Sequence, residues 1–348
     1  MGPQAQNVQS ELPPQVAMLQ LITGFWVARA IYVSAKLGLA DLVKDGPKTA
    51  DELARLTGTH APSLYRVLRA LASVGVFAED GRGRFAQTTL SETLRSDAPG
   101  SLRAMAMVEL GQEHYPAWGN LMHSVKTGEI AFDDLYKQNA WEYYAQNPED
   151  AHNFNESMKG LTEVVNMAVM GAYDFSGFNK VVDVAGGTGG LIAAILNANP
   201  RTRGVLFDLP HVIAEAGPLL DAARVRDRCE TASGDFFKSI PEGGGAYVMK
   251  WIIHDWDDEK ASAILRNILR AMNENGKLLL IETVVPEGNR PDLSKFLDLN
   301  MLVMTGGRER TEAQFRSLLS DSGFELTRVI HTMSPICVIE AVPRGSRK

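Results

Sequence analysis

The apolar positions of this chain change rhythm near residue 180, from intervals of three and four to short continuous runs. Helices are predicted before that point. Thr49 and Glu52 form a capping-box pattern ahead of Leu53 and Leu56, and Gly58 ends the short helix. Leu64, Val67, Leu68 and Leu71 then recur at helical spacing until Gly75. Val76-Phe77, the polar turn Glu79-Asp80-Gly81-Arg82-Gly83 and Phe85 read as a small hairpin. Helix, turn, helix, hairpin is the order of a winged helix. From about residue 100 to 170 the pattern is helical throughout and rich in soft or flat side chains, including Met105, Trp118, Trp141, Tyr144, Phe154, Met158 and Met167. Most of these belong in a core, although a helical cap of this composition also suits the lining of an aromatic pocket.

Beyond residue 180, near-continuous apolar runs at 180–185, 204–207, 247–249, 277–285 and 335–342 predict strands covered on both faces. A helix presenting Ala261, Ile264, Leu265, Ile268, Leu269 and Met272 stands between two of them. This alternation predicts a doubly wound α/β sheet. With 348 residues the chain exceeds the ~250 to 300 at which a single core stops growing. The expected division is a winged-helix-like domain over 1–105, a helical linker or cap over 106–170 and an α/β domain over 171–348.

Composition narrows the partners. A formal charge of -7 opposes attraction to phosphate backbones, and the second helix of the winged-helix pattern offers only Arg66 and Arg69. That module is therefore read as structural or dimerising, with no nucleic-acid partner. No uninterrupted run approaches the ~18 apolar residues of a membrane helix and no signal pattern opens the chain, so a cytoplasmic protein without a membrane partner is expected. Met1-Gly2 begins like a myristoylation signal, but Gln6 stands where Ser or Thr is needed, and the polar stretch to Pro14 is expected to be mobile or draped over a partner. Cys229 and Cys337 lie far apart in apolar surroundings and are expected to be buried core residues, neither bridged nor metal-binding.

The candidate chemistry begins at Val181-Val182-Asp183-Val184-Ala185-Gly186-Gly187-Thr188-Gly189-Gly190, a strand that runs through a glycine turn into a helix. Such a turn offers backbone N–H groups to a ligand at a helix N-terminus. Asp208, at the end of the second strand, is placed to accept hydrogen bonds from a ribose diol, so the pair describes a nucleoside site. The dinucleotide fingerprint requires a third small residue where Ile192 stands. S-adenosylmethionine accounts better for Asp183 and for Gly234-Asp235-Phe236-Phe237 after the third strand, with Asp235 for the adenine amino group and Phe236 for its face. At the end of the fourth strand, Lys250-Trp251-Ile252-Ile253-His254-Asp255-Trp256 lies on the edge where such sheets bind ligands. Asp257, Asp258 and Glu259 are read as first-turn carboxylates of the following helix rather than metal ligands, and no metal is expected.

These motifs, together with Phe207-Asp208-Leu209-Pro210-His211 and Gly306-Gly307-Arg308-Glu309-Arg310-Thr311, resemble those of the caffeic-acid, flavonoid and acetylserotonin O-methyltransferase family, and the likeness runs from the winged helix to the C-terminus. It implies a Rossmann-like methyltransferase sheet and a homodimer formed through the N-terminal domain. Cofactor contacts are implied at Gly186, Gly187, Asp208, Leu209, Gly234, Asp235, Phe236 and Lys250, and His254 is implied as base, flanked by Glu282 and Glu309. Trp141, Phe154, Met158, Trp251, Asp255, Met301 and Met304 are implied to meet a small aromatic acceptor, phenolic or polyketide-like.

The chemistry asks for these parts too. A phenol of pKa ~10 must lose its proton to become a good nucleophile, and a histidine near its ordinary ~6.5 is neutral enough to take it. Either Glu282 or Glu309 can orient that imidazole. Two positions depart from the pattern. Ala185 replaces a common glycine, tolerable if its φ is negative, and Met304 replaces a polar residue, favouring apolar stacking of the acceptor. A relative repurposed for hydroxylation or decarboxylation, and a ligand-responsive DNA-binding regulator, are the competing readings.

Overall fold

The computed structural model describes residues 12–345, so the myristoylation-like start lies outside the described residues, as does most of the polar stretch before Pro14. The chain forms two compact units, residues 1–115 with 148–160 and residues 116–147 with 161–348.

The first unit carries the predicted winged helix. Thr49 accepts from the Glu52 N–H at 3.2 Å while the Glu52 carboxylate accepts from the Thr49 N–H at 2.7 Å, so the capping box closes in both directions. The helix Ala50–Thr57 starts there, and Ala61–Ser73 follows it. Strands β1 (Lys48–Thr49), β2 (Phe77–Glu79) and β3 (Arg84–Gln87) form an antiparallel sheet in the order β1-β3-β2. Leu53, Leu64, Leu68, Leu71, Phe77 and Phe85 close its core. The helix Pro14–Leu37 differs from expectation: by length and composition it is apolar enough to cross a membrane, although Gln15, Gln20, Thr23 and Arg29 interrupt the run. Met18, Leu19, Leu21, Ile22, Phe25 and Trp26 are exposed along it.

The second unit is built on seven strands: β4 (Lys180–Val184), β5 (Arg203–Asp208), β6 (Cys229–Ser233), β7 (Ala246–Lys250), β8 (Lys277–Thr283), β9 (Phe324–His331) and β10 (Ile336–Pro343). Their order is β6-β5-β4-β7-β8-β10-β9. The first five run parallel, and β10 pairs antiparallel with both β8 and β9. Strand order reverses between β4 and β7, which opens the crevice in which such sheets bind ligands. Alternate residues feed two cores. Val182, Val184, Met249, Leu278 and Leu280 pack with the helix Asp258–Ala271 on one face, whereas Val181, Val248, Leu279 and Ile281 pack with the helix Gly190–Ala198 on the other. Both cysteines are buried and unbridged. The run 106–170 is helical, in six segments from Arg103–Glu109 to Pro148–Ala172.

Candidate active site

Every motif named above in the α/β region stands at the carboxyl edge of the parallel strands. At the end of β4 the chain turns through Ala185, Gly187 and Gly189 at φ of 56°, 61° and 95°. The negative φ that would have made Ala185 comfortable is not found. Its Cβ sits in the left-handed region, a cost of roughly 1 to 2 kcal/mol, while its N–H donates to Phe207 O at 2.7 Å. Gly186 is required by proximity, since a Cβ there would lie 2.6 Å from the Asp183 carboxyl and from Leu206. Asp208 holds the turn, accepting from the Gly187 N–H at 2.8 Å and from the Leu209 N–H at 2.7 Å.

Asp183 is buried and its Oδ2 has no partner. Burial pushes its carboxyl up to about 7 against the pull of Lys250, and burial brings Lys250 down to about 8 against the pull of Asp183. The Lys250 ammonium donates to Thr162 at 2.8 Å and stands 5.2 Å from the centre of the Trp251 ring. Asn166 Oδ1 lies 3.5 Å from the same nitrogen. Sequence reading missed Thr162 and Asn166. Their only signal is a pair of polar residues four apart in an apolar stretch of helix, which places them on one face. After β6, the Gly234 N–H donates to Asp208 O at 3.0 Å, and the Asp235 carboxylate accepts from the Phe237 N–H at 2.9 Å. Phe236, Phe237 and Trp256 form an edge-to-face cluster.

Beyond β7 the backbone takes an uncommon turn at Trp251, with φ of 55°. This frees the N–H groups of Ile252 and Ile253, and Glu282 Oε1 accepts both, at 3.1 and 2.9 Å. Glu282 lies within β8, one residue before its end. The two flanking carboxylates thus take different parts. Glu309 Oε1 bonds His254 Nδ1 at 2.7 Å, while Glu282 Oε2 stands 4.0 Å from that nitrogen. Asp255 lies 3.7 Å from Nε2.

The titration of His254 departs from that of a free histidine. Burial alone would lower its pKa, but Glu282, Asp255 and Glu309 together outweigh that and push it up to about 10. Burial raises Glu282 to about 7, with His254 pulling the other way. His254, Glu282 and Glu309 place one ligand atom each within 4.8 Å of one another, as a metal trio would. The 2.7 Å separation of Nδ1 and Oε1 is that of a charge-assisted hydrogen bond. The neighbouring acids behave as helix-start residues: Asp257 accepts from the Lys260 N–H at 2.8 Å, and Asp258 and Glu259 occupy the first turn.

Of the residues expected to meet an acceptor, Met301 and Met304 are buried on the helix Ser294–Met304, Trp251 and Asp255 are partly buried, and Trp141 is 53% exposed. All five belong to the second unit. Phe154 and Met158 belong to the first and are partly buried. Trp118 donates to Asn300 at 2.8 Å, fixing a side chain next to Met301 in sequence.

Known proteins resemble this chain along most of its length. A family model described as an O-methyltransferase domain matches residues 118–325, and one described as an O-methyltransferase dimerisation domain matches residues 19–97. The chain is 48% identical to phenazine O-methyltransferase PhzM of Lysobacter antibioticus, over 97% of this chain and 98% of that protein. It is 30% identical to the phenazine-1-carboxylate N-methyltransferase of Pseudomonas aeruginosa, over 90% and 92%. Among solved structures, LaPhzM matches with a TM-score of 0.89 at 48% identity, covering 95% of this chain and 100% of that one. NcsB1 of neocarzinostatin biosynthesis, in complex with S-adenosylmethionine and 2-hydroxy-5-methyl naphthoic acid, matches with a TM-score of 0.79 at 33% identity, covering 91% and 95%.

Proposed function

This chain belongs to the O-methyltransferase family, and from that premise we propose that it methylates a hydroxyl group of a flat aromatic acceptor, using S-adenosylmethionine, with His254 as general base. The residues of the glycine turn fit the cofactor. Asp183 Oδ2 is buried without a partner, the Gly186 position admits no side chain, and Asp208 keeps lone pairs on both oxygens after accepting one backbone hydrogen bond on each. Gly186, Gly187, Asp208, Leu209, Gly234, Asp235, Phe236 and Lys250 would hold S-adenosylmethionine, which when bound supplies the electrophilic methyl carbon.

The observation that carries the base assignment is the 2.7 Å contact between His254 Nδ1 and Glu309. A carboxylate that receives the Nδ1 proton leaves Nε2 as the nitrogen able to accept another. The acceptor hydroxyl gives its proton to Nε2, and the imidazolium is stabilised by Glu309, Glu282 and Asp255. At neutral pH the resting imidazole, with a pKa of about 10, already carries that proton. The productive complex therefore holds one proton fewer than the resting enzyme plus a neutral phenol. Phenol against neutral imidazole and phenolate against imidazolium are the same composition, and the proton moves between groups of nearly equal pKa, the phenol's being ~10.

Named relatives act on phenazines, and NcsB1 holds a naphthoic acid. Trp141, Trp251, Met301 and Met304 offer matching soft and flat surfaces, so we assign a polycyclic aromatic hydroxyl as the acceptor. Two relatives are named for N-methylation, the phenazine-1-carboxylate N-methyltransferase and an 8-amino-8-demethylriboflavin N,N-dimethyltransferase, and the first raises methylation of a ring nitrogen as the second reading. A ring nitrogen attacks through a lone pair and needs no base, so a buried imidazole between carboxylates favours an O–H acceptor. The exposed apolar helix Pro14–Leu37 and the match to a dimerisation domain over 19–97 support a homodimer.

The test is transfer of a labelled methyl group to a hydroxyphenazine and to phenazine-1-carboxylate by wild-type chain and His254→Ala. The wild type is expected to methylate oxygen, and His254→Ala to lose roughly 10²- to 10⁴-fold in kcat while still binding S-adenosylhomocysteine. Undiminished transfer by the variant removes His254 from the mechanism. Methylation of the ring nitrogen alone establishes the second reading.

A further inference from the structure

We propose that Gly307 and Arg310 are positioning residues for the base: the loop from Gly306 to Arg310 grips the backbone of residues 253–256 and so sets where the His254 ring stands. The proposal rests on the reading of His254 as base. Gly307 has no positive φ, so conformational freedom does not explain the glycine. Close approach does. A Cβ there would lie 2.0 Å from His254 O, 2.7 Å from Asp255 C and 2.8 Å from Asp255 Cα, all of them backbone atoms that cannot swing aside. The next residue completes the contact, since the Arg308 N–H donates to the same His254 O at 2.8 Å.

Arg310 grips the same turn from its other side. Its side chain is 1% exposed, and it donates to Ile253 O at 3.0 Å and to Trp256 O at 2.9 Å. Asp258 accepts its remaining hydrogen bonds at 2.8 and 3.0 Å, which neutralises the buried guanidinium. The carbonyls of residues 253, 254 and 256 are thus all held by one loop. That loop also carries Glu309, the partner of His254 Nδ1, and Arg310 O accepts from the Val285 N–H at 3.0 Å, just beyond the strand that bears Glu282. Main chain and ring of the base are fixed from a common support. A short lysine at 310 would keep the charge but not the planar fork that reaches two carbonyls at once.

A methyl group at 307 must displace the His254 carbonyl by about 1 Å, and misplacement of a reacting group by that amount costs roughly 10²-fold in rate. The experiment compares Gly307→Ala and Arg310→Lys, each alone and combined with His254→Ala, with a hydroxyphenazine as acceptor. Titration calorimetry with S-adenosylhomocysteine reads the cofactor site. Proton NMR of the ligand-free chain reads the downfield N–H shared by His254 and Glu309, identified by its absence from His254→Ala. Each single variant is expected to lower kcat by roughly 10- to 100-fold with the KM of the acceptor and the cofactor affinity within about twofold of wild type. The downfield signal should shift or disappear, and neither substitution should reduce the rate further once His254 is absent. Wild-type kcat with an unmoved signal overturns the proposal, as does a full further loss in the His254→Ala background. Should Gly307→Ala fail to fold, Arg310→Lys gives the same readings. If His254→Ala alone transfers methyl groups at the wild-type rate, the base reading fails, while the NMR signal still decides whether the loop positions the ring.

Discussion

At the scale of single residues, the site is governed by what lies next to His254. Three carboxylates, Glu282, Asp255 and Glu309, surround the imidazole, and each raises its pKa. On the proposed mechanism with His254 as base, the complex sheds one proton to react, so kcat/KM for a phenolic acceptor is expected to rise with pH from neutral toward about 9, with a slope near one on a logarithmic plot. Glu282→Gln removes a charge that raises the pKa, so the rise should move to lower pH. A pH–rate series on both proteins checks this, and a limb that moves up or stays fixed contradicts the assignment. Ala185 supplies a second expectation. Relief of its left-handed strain is worth roughly 1 to 2 kcal/mol, and the extra freedom of glycine in the unfolded chain takes back part of it. Ala185→Gly should therefore raise the urea midpoint by a small amount, corresponding to less than about 1 kcal/mol. A lowered midpoint would mean that the methyl group has a packing role that offsets its strain.

At the scale of elements, the strands deliver their carboxyl ends to one crevice, and short loops convert those ends into chemistry. Glu282 shows how one residue serves both levels. It satisfies the two N–H groups released where β7 turns at Trp251, and its charge acts on His254 from the same place. The opposite strands are tied by Glu340 on β10, which accepts hydrogen bonds from Tyr173, Lys277, Thr327 and Arg328. Burial by itself would raise the Glu340 carboxyl, but Arg328, then Tyr173, Lys277 and Thr327, overcome this and bring it to about 2. A depressed folded pKa contributes stability above the unfolded value near ~4.3 and loses it as pH falls toward the folded one, a contribution on the order of 3 kcal/mol. Glu340→Gln should lower the melting temperature at pH 7 and flatten its decline between pH 5 and about 2. An unchanged pH dependence would show that other carboxylates dominate acid unfolding. Legibility in the sequence also differs by element. β4, β5, β7 and β8 are covered on both faces and appear as apolar runs, whereas the edge strands β6 and β9 keep exposed residues and break the run.

At the scale of the whole molecule, the helix Pro14–Leu37 exposes Met18, Leu19, Leu21, Ile22, Phe25 and Trp26, all but Met18 within the residues matched by a dimerisation domain. Covering such a row with a second copy removes it from water at about 25 cal/mol per Å² of apolar surface. Light scattering of wild type should give twice the chain mass, and Phe25→Asp with Trp26→Asp should give the monomer. A wild-type monomer would refute the homodimer. Apolar rhythm, the glycine turn with its acids, and the pattern around His254 by themselves determined the winged helix, the doubly wound sheet and the edge on which the site stands, because burial period and backbone conformation are local demands written into neighbouring residues. Only the tertiary structure decided that Glu309 rather than Glu282 bonds the imidazole, that three carboxylates close around His254 and raise its pKa, and that Gly307 and Arg310 pack against its backbone. Those outcomes depend on distances between residues 29 to 57 positions apart, and on the loss of water around them, which no local pattern encodes.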